Sequence, residues 1–272
     1  IVTAAAAIEA GVTDPDEVHH VDGSISMDGV TVSDAWQHGP TPFTTTGIFG
    51  KSSNVGTLML AQRVGKEPYS RYLEKFGLGE RSGIELAGES EGLVPDLENW
   101  QGGTFANLPI GQGLSLTTLQ MAGVYQTIAN DGVRIPPRTV AERITPEGET
   151  HEYERPEGER VVSEETARTV RDMFRSVVQS GPGTQVGTGP QAAVAGYQIS
   201  AKTGTAQQID PACACYSNSR YWITFAGILP ADAPRYVIAV MLDAPQRGVL
   251  GASAAPVFHD IATWLVNRDN IP

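Results

Sequence analysis

A chain of 272 residues with 40% hydrophobic and 18% charged residues carries enough apolar material for one large domain or two modest ones, and that composition excludes a disordered segment. The formal net charge of −12, with no basic patch to offset it, excludes nucleic acid as a partner. Two cysteines, Cys213 and Cys215, are too few for a disulfide framework, and His19, His20, His38, His151 and His259 do not fall at metal-ligand spacing, so neither a metal nor a cofactor is expected. No apolar run approaches the length of a membrane span, and no signal peptide is visible.

In chain order, the alanine-rich stretch 1–10 reads as a helix closed by Gly11. It has no capping residue before Ile1, which reads either as an arbitrary edge or as a helix whose first turn lies upstream. Residues 12–50, rich in Gly, Pro, Thr and Asp, read as irregular, with short strands between Ser24 and Val32. A helix is expected from Ser52 to Val64, with Val55, Leu58, Met59 and Gln62 at helical spacing and Gly65 as its stop. A shorter helix follows from Pro68 to Phe76. After the Gly-rich loop 102–115, Thr117 or Thr118 caps a helix carrying Leu119, Ala122, Tyr125 and Ile128, stopped at Asn130-Asp131-Gly132. The mixed-charge run Glu147 to Arg160 reads as a solvated loop or hairpin.

Ser163 caps a long helix with Glu164 and Glu165 in its first turn and Ala167, Val170, Phe174, Val177 and Val178 along one face. Three strands follow, Gln198 to Gln207, Tyr221 to Leu229 and Tyr236 to Leu242, the last two joined by a turn short enough for an antiparallel hairpin. Pro256 opens a closing helix with Val257, Phe258, Ile261, Ala262 and Leu265 as its buried stripe. The layout is α+β: a helical portion over about 40–130 and a helix and sheet portion over about 131–272, with a cleft between them as the natural place for a site.

Two short motifs stand out: Ser52-Ser53-Asn54 at a helix start and Lys202-Thr203-Gly204-Thr205 in a strand. Singly, each has a structural reading, the first as a helix cap and the second as a charged sheet edge. As a pair they resemble the signature of serine β-lactamases and penicillin-binding proteins, where an upstream Ser-x-x-Lys completes the set. The chain has no Ser-x-x-Lys; Ser200-Ala201-Lys202 is one residue short of that spacing. In the family, an apolar helix similar to Ile1–Glu9 follows that lysine directly, so the nucleophilic serine is expected just upstream of Ile1.

The resemblance implies a division of labour for cleaving an acyl-D-alanyl bond. Lys202 supplies positive charge near the nucleophile and binds Ser52, Ser52 relays a proton to the leaving amine, and Asn54 holds the substrate's amide carbonyl. Ser53 is grouped with the substrate-binding residues. Thr203 and Thr205 share a strand face and bind the terminal carboxylate. Gly204 lets the substrate lie close to the strand. The Thr205 N–H is one oxyanion donor and the nucleophile's own N–H the other.

Further stretches narrow the likeness to class B penicillin-binding proteins, septal transpeptidases of the actinobacterial type. They are Lys51-Ser52-Ser53-Asn54-Val55-Gly56, Leu108-Pro109-Ile110-Gly111-Gln112-Gly113, Thr117-Thr118-Leu119-Gln120, Ala129-Asn130-Asp131-Gly132, Ala201 to Gln207, Thr224-Phe225-Ala226-Gly227 and Ala255-Pro256-Val257-Phe258. The implied fold is that of the penicillin-binding transpeptidases and serine β-lactamases, an antiparallel sheet flanked by helices with a helical subdomain. Residues 210–219 resemble a loop overhanging the cleft, and their cysteines read either as free thiols or as a Cys-x-Cys disulfide permitted by an oxidising envelope. Val249 and Leu250 resemble a second wall of the cleft, and Tyr221 and Trp222 read as core residues or as part of that wall, with the core preferred.

The implied partners are peptidoglycan stem peptides, β-lactams as covalent ligands, divisome proteins and a glycosyltransferase. The implied location is the outer face of the plasma membrane, reached through an N-terminal anchor. A serine β-lactamase is disfavoured because no Glu-x-x-Leu-Asn pattern lies between the two motifs. A D,D-carboxypeptidase, and a non-catalytic β-lactam sensor or envelope scaffold, remain as alternatives.

Overall fold

In the computed structural model, which describes residues 1–152, 156–181, 186–213, 215–246 and 251–271, helix α1 (Val2–Glu9) leads into four short strands, β1 (Val18–Val21), β2 (Ser24–Met27), β3 (Val30–Ser33) and β4 (Thr41–Thr44). Helices α2 (Thr45–Lys51), α3 (Asn54–Val64), α4 (Lys66–Lys75), α5 (Thr104–Asn107) and α6 (Thr118–Ala129) follow. Two small antiparallel pairings come next, made by β5 (Val133–Arg134) with β8 (Glu159–Arg160) and by β6 (Glu142–Ile144) with β7 (Thr150–Glu152). Helix α7 (Glu164–Met173) then tightens into a 3-10 segment at Phe174–Val178. The chain closes on β9 (Ser200–Asp210), β10 (Cys215–Leu229), β11 (Tyr236–Asp243) and α8 (Ala255–Arg268). Helices packed about an antiparallel sheet make this an α+β fold.

The stretch 12–50 is more regular than its composition suggests. β1 pairs antiparallel with β4, β2 with β3, and the stretch ends in α2. Helix α2 is hard to see in sequence because its Thr-Thr-Gly start and Gly50 are poor helix formers. Packing supplies what propensity lacks. Ile48 and Phe49 are buried, Phe49 stacks on Phe174 with centroids 5.4 Å apart, and a Cβ at Gly50 would lie 2.6 Å from Ser176 Oγ. Thr44 caps the helix by accepting the Gly47 N–H. The α6 start is a full capping box between Thr117 and Gln120.

The sheet runs in the order β11-β10-β9, antiparallel throughout, so β9 lies at an edge. Its two faces belong to different cores. Ala226 and Ile228 point into a cluster with α1, α2, α6 and α7, while Ile223, Phe225 and Leu229 point into a cluster with α8. The closing helix buries Phe258, Ala262 and Val266, a straight i, i+4, i+8 ridge. The expected stripe is therefore partly wrong: Val257 and Ile261 are exposed, because the ridge that meets the sheet is rotated one position away from them.

Side chains fasten the helices at their ends. Glu9, at the end of α1, accepts the N–H and hydroxyl of Ser163 ahead of α7. Arg171 is buried and donates to the carbonyls of Ile128 and Ala129 at the end of α6, and to Asp131.

His19 on β1 is also buried, with Nε2 2.9 Å from the Thr45 hydroxyl. Burial, aided by the Arg63 charge and opposed by Glu17 and Asp14, holds its pKa below the usual 6.5. The unfolded chain therefore binds the extra proton more readily, and stability falls as pH drops through 6.5. Thermal melts of wild type and His19→Gln should show the variant with a shallower loss over that window; parallel loss would refute the assignment.

Candidate active site

Ser52 sits on the corner between α2 and α3. It caps α2 in the left-handed conformation, with φ 57° and ψ 43°, and its N–H returns to the carbonyl of Phe49. Ser53 then caps α3 by accepting the Gly56 N–H. The helix expected from Ser52 to Val64 is thus two helices with a break at the motif. A serine held at positive φ costs about 1 kcal/mol or more, a strain retained where surrounding packing fixes the backbone. Ser52→Gly tests this: its melting temperature should equal or exceed that of wild type, because glycine adopts this conformation freely. Any function of the hydroxyl would be lost with it.

Facing this corner, β9 presents Lys202. Strand alternation and the pairing of Lys202 with Ala226 place its side chain on the sheet face toward the helices. Its Nζ donates to Ser52 Oγ at 2.6 Å, to the Thr203 carbonyl at 3.0 Å and to Thr203 Oγ1 at 3.5 Å. Among the described residues no carboxylate pairs with Lys202. Burial without a counter-charge lowers its pKa to about 8. The beginning of α1 lies within electrostatic reach of Lys202.

The remaining motif residues divide. Thr203 and Thr205 oppose Phe225 and Ile223 in the register and so share a face; Thr205 is exposed and Thr203 is half-buried. Gly204 has a requirement within the sheet itself, since a Cβ there would lie 2.2 Å from Thr224 Oγ1. Asn54 commits an amide hydrogen to the Ser33 carbonyl at 2.9 Å. Ser53 corrects the sequence reading: it is fully buried, its hydroxyl donating to Asp34 at 2.8 Å, so it braces the corner and is closed to a substrate. Trp222 corrects it as well. It is 39% exposed and, paired with Ala206, lies on the Lys202 face of the sheet beyond Thr224, while Tyr221 packs against the cluster under α8. Val249 and Leu250 lie outside the described residues. Cys213 and Cys215 are disulfide-bonded, with Cα atoms 5.2 Å apart.

Sequence reasoning missed Thr188, whose hydroxyl is 2.9 Å from that of Thr203. The signal was its flanking glycines. A Cβ at Gly187 would lie 2.2 Å from the Val177 carbonyl, and one at Gly189 2.6 Å from the Phe225 ring. Only glycines let this segment press against the 3-10 segment that follows α7 and against the sheet. Lys51 also holds it, donating to the Val186 carbonyl at 2.8 Å.

Residues 1–263 match the family model described as the penicillin binding protein transpeptidase domain. The chain belongs to that family. Among its transpeptidase relatives, penicillin-binding protein PbpB of Mycolicibacterium smegmatis is 67% identical over 100% of this chain and 43% of its own length. PbpB of Mycobacterium tuberculosis is 63% identical, over 100% of this chain and 41% of its own length. The peptidoglycan D,D-transpeptidase FtsI of Escherichia coli is 37% identical over 84% of this chain and 36% of its own length. The chain thus spans less than half the length of these curated relatives. A solved penicillin binding protein 3 of M. tuberculosis, complexed with aztreonam, superposes with a TM-score of 0.97 at 62% identity, covering 100% of this chain and 61% of that one. The penicillin-binding transpeptidase fold is therefore the fold of this chain, its edge strand and helical corner carrying the two motifs.

Proposed function

We propose that this chain is the larger part of the transpeptidase domain of a class B peptidoglycan D,D-transpeptidase that cross-links stem peptides during septal wall synthesis and is acylated by β-lactams. The observation that carries the reading is the 2.6 Å contact between Lys202 and Ser52, which brings together two motifs 150 positions apart. In this reading a serine adjoining the start of α1 attacks the penultimate D-alanyl carbonyl. An ester forms, the C–N bond breaks, and the departing D-alanine takes the serine's proton through Ser52. Lys202, charged and without a carboxylate partner among the described residues, holds Ser52 and draws the substrate's terminal carboxylate toward Thr203 and Thr205. Asn54 steadies the substrate amide, and the Thr205 N–H receives developing negative charge on the carbonyl oxygen. An acceptor amine then attacks the ester, forms the cross-link amide and returns the proton to the serine.

Septal partners, a glycosyltransferase and an N-terminal anchor to the outer face of the plasma membrane belong to the same proposal, supported by the high identity to mycobacterial PbpB. Among the described residues no helix is long and apolar enough to cross a membrane. The test is covalent labelling with a fluorescent penicillin. The full-length protein should label and then transfer a D-Ala-D-Ala peptide to an amine acceptor, whereas residues 1–272 alone should not label. Label on the isolated chain would place the nucleophile within it, and release to water without transfer would make the protein a carboxypeptidase.

A further inference from the structure

Beneath the Ser52 corner a buried carboxylate meets an imidazole. Asp34, in the connection after β3, has a fully buried side chain. Its Oδ2 accepts from Ser53 Oγ at 2.8 Å and from His38 Nε2 at 2.9 Å, and its Oδ1 accepts the Val55 N–H at 3.0 Å. That position, at the first turn of α3, offers unpaired backbone donors and the positive end of the helix dipole. With Asn54 donating to the Ser33 carbonyl, the three residues after Ser52 are each bonded to Ser33 or Asp34. The corner that presents Ser52 to Lys202 is therefore pinned from below by one short segment.

His38 is the remaining partner of that carboxylate, and its surroundings select its charge. Nε2 faces Asp34 Oδ2, and Nδ1 lies 2.8 Å from the Gly39 carbonyl oxygen. Both oxygens only accept, so both ring nitrogens must carry hydrogen, which only the imidazolium does. A neutral ring would set one nitrogen lone pair against an oxygen. The side chain is 10% exposed, stacked on Trp36 with centroids 5.2 Å apart and edge-on to Phe43 at 6.2 Å. A Cβ at Gly23 would lie 2.4 Å from the His38 carbonyl oxygen, so the backbone there is also closely packed.

We propose that His38, as the imidazolium, is a positioning residue for the Ser52-Ser53-Asn54 corner, acting through Asp34 and making the acylation rate depend on its own charge. The proposal rests on reading the Ser52–Lys202 cleft as an acyl-transfer site. The charged groups facing His38 are Asp34 from its own loop and Asp22 from the connection after β1. β4 contributes the aromatic Phe43, and the start of α3 contributes the uncharged Ser53 by way of Asp34. Burial alone would lower the His38 pKa, but the hydrogen bonds to Asp34 and Gly39 and the charges of Asp34 and Asp22 together raise it above 6.5. Loss of the proton leaves Nδ1 facing the Gly39 oxygen without a hydrogen, loosens the Asp34 clamp and lets the corner drift from Lys202.

The experiment compares the second-order acylation rate of the full-length protein and its His38→Gln variant with a fluorescent penicillin, from about pH 6 to about pH 9. The variant should be about tenfold slower at the acid end, the scale on which a small misplacement of a reacting group is felt. The gap should close toward the alkaline end, where wild type loses the same charge. Lys202 and the nucleophile titrate alike in both proteins and cancel in the ratio. A ratio near one throughout, or a deficit constant with pH as a purely structural role would give, overturns the proposal. Should the variant fail to fold, the ring of His38 followed by NMR in wild type decides: a midpoint above 6.5 is expected, and one at or below it overturns the proposal. Absence of any covalent label on wild type at every pH would instead sink the acyl-transfer reading, and the NMR midpoint would still judge His38.

Discussion

Lys202→Ala in the full-length protein should slow acylation by about 10²-fold or more, the scale on which electrostatic and proton-relay groups act. The reason is geometric. Lys202 brings a positive charge, unpaired among the described carboxylates, to 2.6 Å from Ser52 and also bonds the Thr203 carbonyl, so its loss frees both the hydroxyl and the strand. Arginine keeps the charge in a larger planar fork and should restore only part of the rate. The melt should move the other way. With its pKa lowered from 10.5 to about 8, Lys202 is charged at a cost in the native state below pH 8. Between 8 and 10.5 the unfolded chain holds the proton more tightly, so wild-type stability should rise with pH there. The alanine variant should lack that rise and melt no lower than wild type at neutral pH. A rate within about threefold of wild type would make Lys202 no more than a charged guard on a sheet edge.

The largest loss of stability is expected at Phe174. Its ring is fully buried and stacks on Phe49, one helical turn before Ser52. Phe174→Ala removes that ring from a packed cluster and should cost about 3–5 kcal/mol. For a chain of this size, that is a drop in melting temperature of about 10 °C. Acylation measured well below the new midpoint should also fall, because α2 loses the surface that fixes its last turn. Phe174→Leu keeps most of the volume and should cost about half as much. A melt within about 2 °C of wild type for the alanine variant would mean that α2 does not rest on this contact.

The sequence made the strands and long helices legible where periodicity was strong. β9, β10 and β11 fell within a few residues of their expected ends, apart from the six residues by which β10 begins before Tyr221. Thr117 and Ser163 were readable as caps because capping chemistry is local. Helix α2 was not readable, since long-range packing overrides its poor propensity. The left-handed turn at Ser52 was hidden for a related reason: nothing in Ser-Ser-Asn distinguishes one helix start from a helix end followed by another start. The motifs named Ser52 and Lys202, but the spacing of residues could not tell that Ser53 faces inward, or that Trp222 is turned toward the cleft side of the sheet. Asp34, His38 and Thr188 carry no motif and became visible only through what they touch.

The two faces of β10 have a consequence for how the molecule comes apart. Ala226 and Ile228 belong to the helical cluster, and Phe225 and Leu229 on either side of them belong to the cluster under α8. A single strand cannot release one face and keep the other. The helical cluster and the cluster under α8 are thus bound into one cooperative unit, and heating should show a single transition in which calorimetric and van't Hoff enthalpies agree. Slow hydrogen exchange should be concentrated in the β10 amides, whose opening requires both cores to dissolve at once.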